Sequence, residues 1–298
     1  MKSRKGIAPV IIVAFIVAAA IMVAEGVIIT NYLVRAENIV RAIREQEIIK
    51  GINTMEFSKR GLTQAVLYSF NQASYDISKR GGFFDPSSTT SFNCIPYWKT
   101  FSNSNIPNFE SELSANMLKI FNGYGTVLDV SVPQYTQIEF DKENNMMKLN
   151  ANGKLRYEKK DFFIVRDIAD FAQLADLKVL KLFEIAKEVA NELDSSVSSS
   201  SSYPSALDAS ISVSNNVGQK YYGENIEVVV RPGDNLGSSE NNFAMRVLVV
   251  IKDNGEKKLV YDFEEKSLAM RNIEFRFYML LGKEQMNAET NECEGIIY

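Results

Sequence analysis

Histidine is absent from all 298 residues. That removes the commonest metal ligand and the usual general base near neutral pH. Chemistry would fall to Asp, Glu, Lys, Ser or Cys, and each candidate arrangement is thin. Asp167 with Asp170 has the spacing of an acid or metal pair, but both read more simply as the charged face of an amphipathic helix. Gly123-Tyr124-Gly125 lacks the third glycine and the lysine of a phosphate loop. The serines of Ser195 to Ser205 have no histidine to activate them as nucleophiles. Asp234, in the turn RPGDN, stands alone. The expectation is a non-enzymatic chain with no catalytic residue, no metal and no cofactor.

Two other groups could carry function. Cys94 and Cys293 are the only cysteines, and their separation fits no metal-ligand pattern. In an oxidising exterior they are a candidate disulfide; the other reading is two unrelated thiols. No Asn-x-Ser/Thr acceptor marks a glycosylated surface. Phe92, Cys94, Ile95, Tyr97, Trp98 and Phe101 crowd into ten residues. Tyr97 and Trp98 there are a candidate binding loop, and the competing reading is a loop folded over the core by its own aromatics.

These residues must be held by elements, and the leading one is plain. Lys2, Arg4 and Lys5 precede Gly6, and Ile7 to Ala24 (IAPVIIVAFIVAAAIMVA) carries no charge. Glu25 and Gly26 interrupt before VIITNYLV reaches Val34. As a helix, Ile7 to Val34 would be about 42 Å long, against roughly 30 Å of hydrocarbon. Pro9 falls in the first turn, where its missing N–H has no internal acceptor to lose. Glu25 is the expensive residue: either it lies near the outer interface or it meets a cation on a neighbouring copy. Residues 35–50 lack Pro and Gly and continue the helix into water with the stripe Leu33, Ala36, Val40, Ile43. That stripe needs cover, from the chain's own domain or from other copies. Gly51 is the expected break. Lys and Arg flank both sides of the span, so charge alone does not orient it.

Arg4 to Ala24 resembles the N-terminus of archaeal type IV pilin-like precursors, the group that includes archaellins. The residues that carry the resemblance are Lys5 and Gly6, Ile7 as a new first residue, and the early Pro9. The resemblance implies cleavage of Gly6–Ile7 by a prepilin peptidase, storage of the subunit in membrane lipid, and transfer by pilus assembly machinery into contact with other pilin-like subunits or copies of itself. It also implies an extracellular soluble part. It covers under a tenth of the chain. The bacterial pattern's acidic residue at the fifth mature position is Ile11 here. A signal-anchored surface binding protein that never polymerises is the alternative reading.

The net charge is −4, with the basic excess in residues 1–50 and the acidic excess beyond. That balance argues against nucleic acid as a partner. Residues 52–79 read as a second helix stopped by Gly81-Gly82. Residues 109–122 read as a short one, and strands are expected near 126–132, 136–141, 146–150 and 153–158, with Asn152-Gly153 as a hairpin turn. Phe162 to Leu193 reads as the longest water-side helix. Ile211–Val213, Ile226–Val230, Phe243–Ile251, Leu259–Phe263 and Ile273–Leu281 fit strands of a small sandwich or barrel, with a hairpin at Asp253-Asn254-Gly255. The fold class expected is α+β. A basic leader (1–6) precedes a single long N-terminal transmembrane helix (7–50), which extends into a mixed helical and strand domain (51–194). A Ser-rich linker (195–205) then leads to a small β-rich C-terminal domain (206–298).

Overall fold

A glycine inside a helix costs only about 1 kcal/mol relative to alanine, and the chain absorbs that cost at Gly51. In a computed structural model, which describes residues 7–85, 89–101, 103–126, 128–151, 153–159, 162–167 and 171–284, the first helix, α1, runs without a break from Ile7 to Lys79. The expected end near 50 and the second helix of 52–79 are therefore one element. Gly51 is a notch instead of a break. A Cβ there would meet Ile164 Cδ1 at 2.7 Å and Tyr157 Cε1 at 2.9 Å. At Gly61, also in the helix interior, a Cβ would meet nothing within 4 Å. Gly61→Ala is expected to raise stability by about 0.5–1 kcal/mol, measured by thermal unfolding.

The helix stops where the sequence says it should. Gly81 and Gly82 have φ of +59° and +92°, and the Gly82 N–H donates back to Ile77 O at 2.8 Å. This left-handed ending needs glycine. A Cβ on Gly81 would also lie 2.6 Å from Pro96 Cγ and 2.8 Å from Arg276 O.

The remaining elements are β1 (Ser91–Phe92), β2 (Ile95–Lys99), α2 (Phe109–Gly125), β3 (Tyr135–Asp141), β4 (Met146–Ala151), β5 (Lys154–Lys159), β6 (Phe162–Asp167), β7 (Phe171–Leu174), α3 (Lys178–Ser198), α4 (Tyr203–Tyr221), β8 (Ile226–Asn235), β9 (Ala244–Asp253), β10 (Lys258–Asp262), β11 (Ser267–Arg271) and β12 (Glu274–Gly282). The chain is α+β and divides into two compact units, Met1–Phe57 with Tyr157–Ile164, and Ser58–Arg156 with Val165–Tyr298.

The second unit is built on a five-stranded sheet in the order β1-β2-β12-β9-β8. β2 lies parallel to β12, and the other neighbours are antiparallel. This corrects the expected separate C-terminal sandwich, because β2 comes from the stretch assigned to the preceding domain. Between sheet and helices lies an aromatic core. Trp98 stacks on Phe277 at 3.8 Å and meets Phe183 of α3 edge-on at 5.5 Å. Phe109, at the start of α2, stacks on Phe183 at 4.7 Å.

Five further expectations fail for identifiable reasons. Phe162 to Leu174 is not helical: aromatic and β-branched residues make strands β6 and β7 on either side of 168–170. Ile168 and Asp170 lie outside the described residues. The helix begins only at Lys178, whose N–H is received by the Asp176 carboxylate at 3.1 Å. The Ser-rich stretch is not a flexible linker: α3 continues to Ser198 because Val197 extends the buried row of Val189 and Leu193. After four intervening residues α4 begins, and Ile211–Val213 belongs to it. Ala206, Ser210, Val213 and Val217 are its buried row at helical spacing, which outweighs a short β-branched run. Near 126–132 the strand shrinks to one bridge, Ser131 with Arg156. Asp253-Asn254-Gly255 does turn the chain, but β10 leaves to pair with β11, not with β9. Asn152 of the expected Asn-Gly turn lies outside the described residues.

Candidate functional site

The most distinctive surface is the first part of α1. Phe15, Met22 and Leu33 are 71%, 65% and 64% exposed, and from Phe15 to Ile43 every large apolar side chain of the helix is solvent-facing. The helix is long and apolar enough to cross a membrane. Its polar exceptions are few. Thr30 returns its hydroxyl to Gly26 O at 2.7 Å, a bond that hides the hydroxyl within the helix. Glu25 is exposed, and no ion pair to it occurs among the described residues. Beyond Val34 charges return, including the Arg41–Glu45 pair at 3.2 Å. Ile7 is the first residue of α1, and Pro9 lies in its first turn. Lys5 and Gly6 lie outside the described residues.

The candidate binding loop is corrected. Tyr97 and Trp98 are buried residues of β2, not a surface loop. Trp98 Nε1 donates to Gly81 O at 2.7 Å, so its polar edge is used within the core. The aromatic crowding in the sequence signalled burial.

Cys94 is disulfide-bonded. Cys293 lies outside the described residues. Cys94 and Asn93 form the turn between β1 and β2, with φ of 62° and 49°.

Sequence reasoning missed a polar clasp between α1 and the β10–β11 hairpin. The Gln72 side chain completes the outer edge of β10: its Oε1 accepts from the Tyr261 N–H at 2.7 Å, and its Nε2 donates to Tyr261 O at 3.0 Å. The same Nε2 donates to Asp76 Oδ1 at 2.9 Å. Beside it, buried Asp262 accepts from the Tyr75 hydroxyl at 3.0 Å and from Arg271 Nε at 2.9 Å. Lys79 pairs with Glu264 at 3.3 Å. The i, i+3, i+4 spacing of Gln72, Tyr75, Asp76 and Lys79 was the available signal, a polar stripe on a helix whose other face is buried. The far edge of the large sheet is treated alike. Ser214 of α4 donates to Val228 O at 3.3 Å and accepts from the Val230 N–H at 3.2 Å on β8. Both strands thus have outward backbone groups occupied by a helix side chain, which blunts them against pairing with another chain.

The two carboxylates of the clasp differ. Burial pushes Asp76 up to about 6, against the Gln72 amide and the cations of Arg80 and Lys79, with Asp262 adding repulsion. Burial also opposes ionisation of Asp262, but the Tyr75 hydroxyl, Lys79, the Glu265 N–H and Arg271 together hold it below the usual carboxylate range. Asp76 binds its proton more tightly folded than unfolded, where a value of about 3.9 applies. Stability from this group is therefore full below pH ~4 and lost as pH rises towards ~6. Asp76→Asn is expected to stabilise the protein by about 2–3 kcal/mol at pH 7 and by little at pH 4. Thermal unfolding at the two pH values checks this; equal gains at both would contradict it.

The hairpin's opposite face is apolar and solvent-facing. Leu259 pairs across the ladder with Met270, and Tyr261 with Leu268; Leu259, Leu268 and Met270 are exposed. The described surface also carries two concavities of note. An open one of about 470 Å³ on α1 is lined by Ile49, Lys50, Asn53 and Phe57 among others. One of about 260 Å³ beside Phe109 and Phe183 has its charges paired internally, Lys142 with Glu110 at 2.5 Å and Lys187 with Glu184 at 3.0 Å. Among the described residues no group of three or more Asp, Glu or Cys side chains could hold a metal. Comparison with protein-family models, with curated proteins and with solved structures gives no match.

Proposed function

We propose that the chain is a non-enzymatic pilin-like subunit or minor component of an archaeal type IV pilus-like surface structure. It is inserted in membrane lipid and assembled through its N-terminal helix. The observation that carries this reading is the uncovered apolar surface of α1 from Phe15 to Ile43, continuous with the helix that enters the head. Such a surface is stable in lipid or against identical neighbours, since both remove the same area from water. The occupied edges of β8 and β10 favour the helix over strand addition as the means of association. Prepilin peptidase would cut Gly6–Ile7, Glu25 would find its partner or a wet interface on assembly, and the head would face the cell exterior. A head of this size favours a minor position, because every repeated subunit must fit its head without clashing.

Intact mass of the chain from cells that possess the peptidase tests this. The expected product begins at Ile7, and Gly6→Leu is expected to remain uncut. An uncut N-terminus in the unaltered chain would overturn the pilin-like reading. One observation favours a second reading, a signal-anchored surface binding protein that does not polymerise: the exposed apolar face of β10–β11 lies on the head, where a binding protein would carry its contact. That reading expects residues 1–6 to be retained and the material to stay unpolymerised.

A further inference from the structure

We propose that β11 is a docking edge for β11 of a second copy, the two strands pairing antiparallel about a two-fold axis at Ala269. The clasp fixes which groups are available. Gln72 takes both the N–H and the C=O of Tyr261 from the outer side of β10, so those groups point away from β11. Bonded and non-bonded pairs alternate along an antiparallel ladder. Tyr261–Leu268 and Leu259–Met270 are therefore the non-bonded pairs of this hairpin, and Asp262–Ser267, Val260–Ala269 and Lys258–Arg271 the bonded ones. It follows that Leu268 and Met270 aim their N–H and C=O groups out of the far edge of β11. Among the described residues no hydrogen bond meets them there.

The edge also lacks the usual protections. It has no proline and no bulge, and its one charge is Arg271 at the end. That charge is engaged by Asp262. The outer groups of β8 and β10, by contrast, are met by Ser214 and Gln72.

Register identifies the occupant. With the axis at Ala269, Leu268 meets Met270 of the second copy, and Met270 meets its Leu268. Each such pair exchanges two hydrogen bonds, so every outward group is satisfied using strand residues alone. An axis at Leu268 would bring in Lys266, whose φ of 51° is left-handed and cannot extend a ladder. An axis at Met270 would bring in Asn272, which lies past the end of β11. Ser267 falls opposite Arg271 and Ala269 opposite itself, so no like charges face each other. On the outer face the two hairpins line up as Leu259–Met270–Leu268–Tyr261, once in each direction. Leu259, Leu268 and Met270, exposed in one chain, join an apolar band four strands wide. The two-fold consumes both edges, so pairing stops at a dimer. α1 keeps its part in assembly, and β11 adds a separate contact between heads. The contact is small, and holding copies close together strengthens it.

Ala269→Cys reads the register. Ala269 and its mate form a non-bonded pair of the new ladder, about 4.5 Å apart at Cα, within the span of a disulfide. The full-length variant, concentrated in detergent, is mildly oxidised, alkylated and digested with trypsin without reduction. Trypsin cuts after Lys266 and Arg271. The expected product is residues 267–271 joined to a second copy of themselves, which only two chains can make and which reduction separates. Ser267→Cys is expected to give at least tenfold less, because its mate lies about 14 Å along the ladder. Absence of the linked peptide from Ala269→Cys, or equal yields from the two variants, would overturn the pairing. A further substitution at Met270 in the Ala269→Cys chain tests the edge itself. The Met270 N–H is unused within the hairpin, so Met270→Pro differs from Met270→Ala by the docking donor. The proline variant is expected to link at least tenfold less than the alanine variant. Equal linking would overturn strand addition. Cleavage of Gly6–Ile7 enters none of these outcomes, so this pairing and the pilin-like reading fail independently.

Discussion

Trp98→Ala is expected to lower stability by about 3–5 kcal/mol, a large share of the 5–15 kcal/mol typical of a folded domain. Trp98 is fully buried. It stacks on Phe277, touches Phe183 and donates to Gly81 O. Truncation opens a cavity at the junction of β2, β12 and α3. It also strips a hydrogen bond from the carbonyl that ends α1. Gly81 has no side chain with which to fill the space, and its positive φ prevents other residues from taking its place without strain. Trp98→Phe keeps an aromatic ring to stack but loses the N–H donor and the volume of one ring, so about 1–3 kcal/mol is expected. Thermal unfolding of the full chain in detergent, followed by circular dichroism, ranks the three proteins. A loss below about 1 kcal/mol for the alanine variant would mean Trp98 is a surface residue, as the sequence alone had allowed.

The second large effect is on the helix. Val17→Arg combined with Ala20→Arg is expected to cost about 5–7 kcal/mol of insertion free energy, since each arginine near the middle of a span costs about 2.5–3.5 kcal/mol. Both positions are exposed on α1, so neither change disturbs packing within the described residues. The head should fold as before while the chain moves out of the membrane fraction. Arg41→Ala, in the charged stretch beyond Val34, should leave partition unchanged; its pair with Glu45 is a surface contact of small value. Equal partition of the double-arginine chain and the unaltered one would show that α1 holds no lipid.

The parts of the fold that were legible are those with one dominant local signal. Gly81-Gly82 stops α1, and Asp141 to Asn145 turns β3 into β4, with the Asp141 carboxylate taking the Asn144 N–H at 3.1 Å. The runs 226–230, 243–251 and 273–281 fall on β8, β9 and β12, except that Phe243 and Ile273 each stand just before their strand. Where two signals compete, the local one lost. Gly51 looks like a break, yet Tyr157 and Ile164 use the space its missing Cβ leaves. The serines near 195–205 look like a linker, yet Val197 is fully buried and carries the helix with it. Ile211–Val213 looks like strand, yet its neighbours repeat at helical spacing. The insertion of β2 beside β12 joins residues some 180 apart, and no local pattern encodes that.

The functional surface divides in the same way. The oily helix was readable from composition. The clasp was not, because Gln72 acts on a strand nearly two hundred residues later. Tyr97 and Trp98 were readable either as a binding loop or as aromatics folded over the core, and their burial decides for the core. Charge patterning along α1 was readable throughout, but whether the exposed stripe meets lipid or another copy depends on a partner that no single chain contains.

The measurement closest to the central claim is fractionation of cells making the full-length chain, followed by alkaline carbonate washing of the membranes. The chain is expected to stay in the washed pellet and to be released by detergent. Recovery of the intact chain as a lone particle in the detergent-free supernatant would contradict the account, because the exposed apolar surface from Phe15 to Ile43 would then have to be satisfied by water.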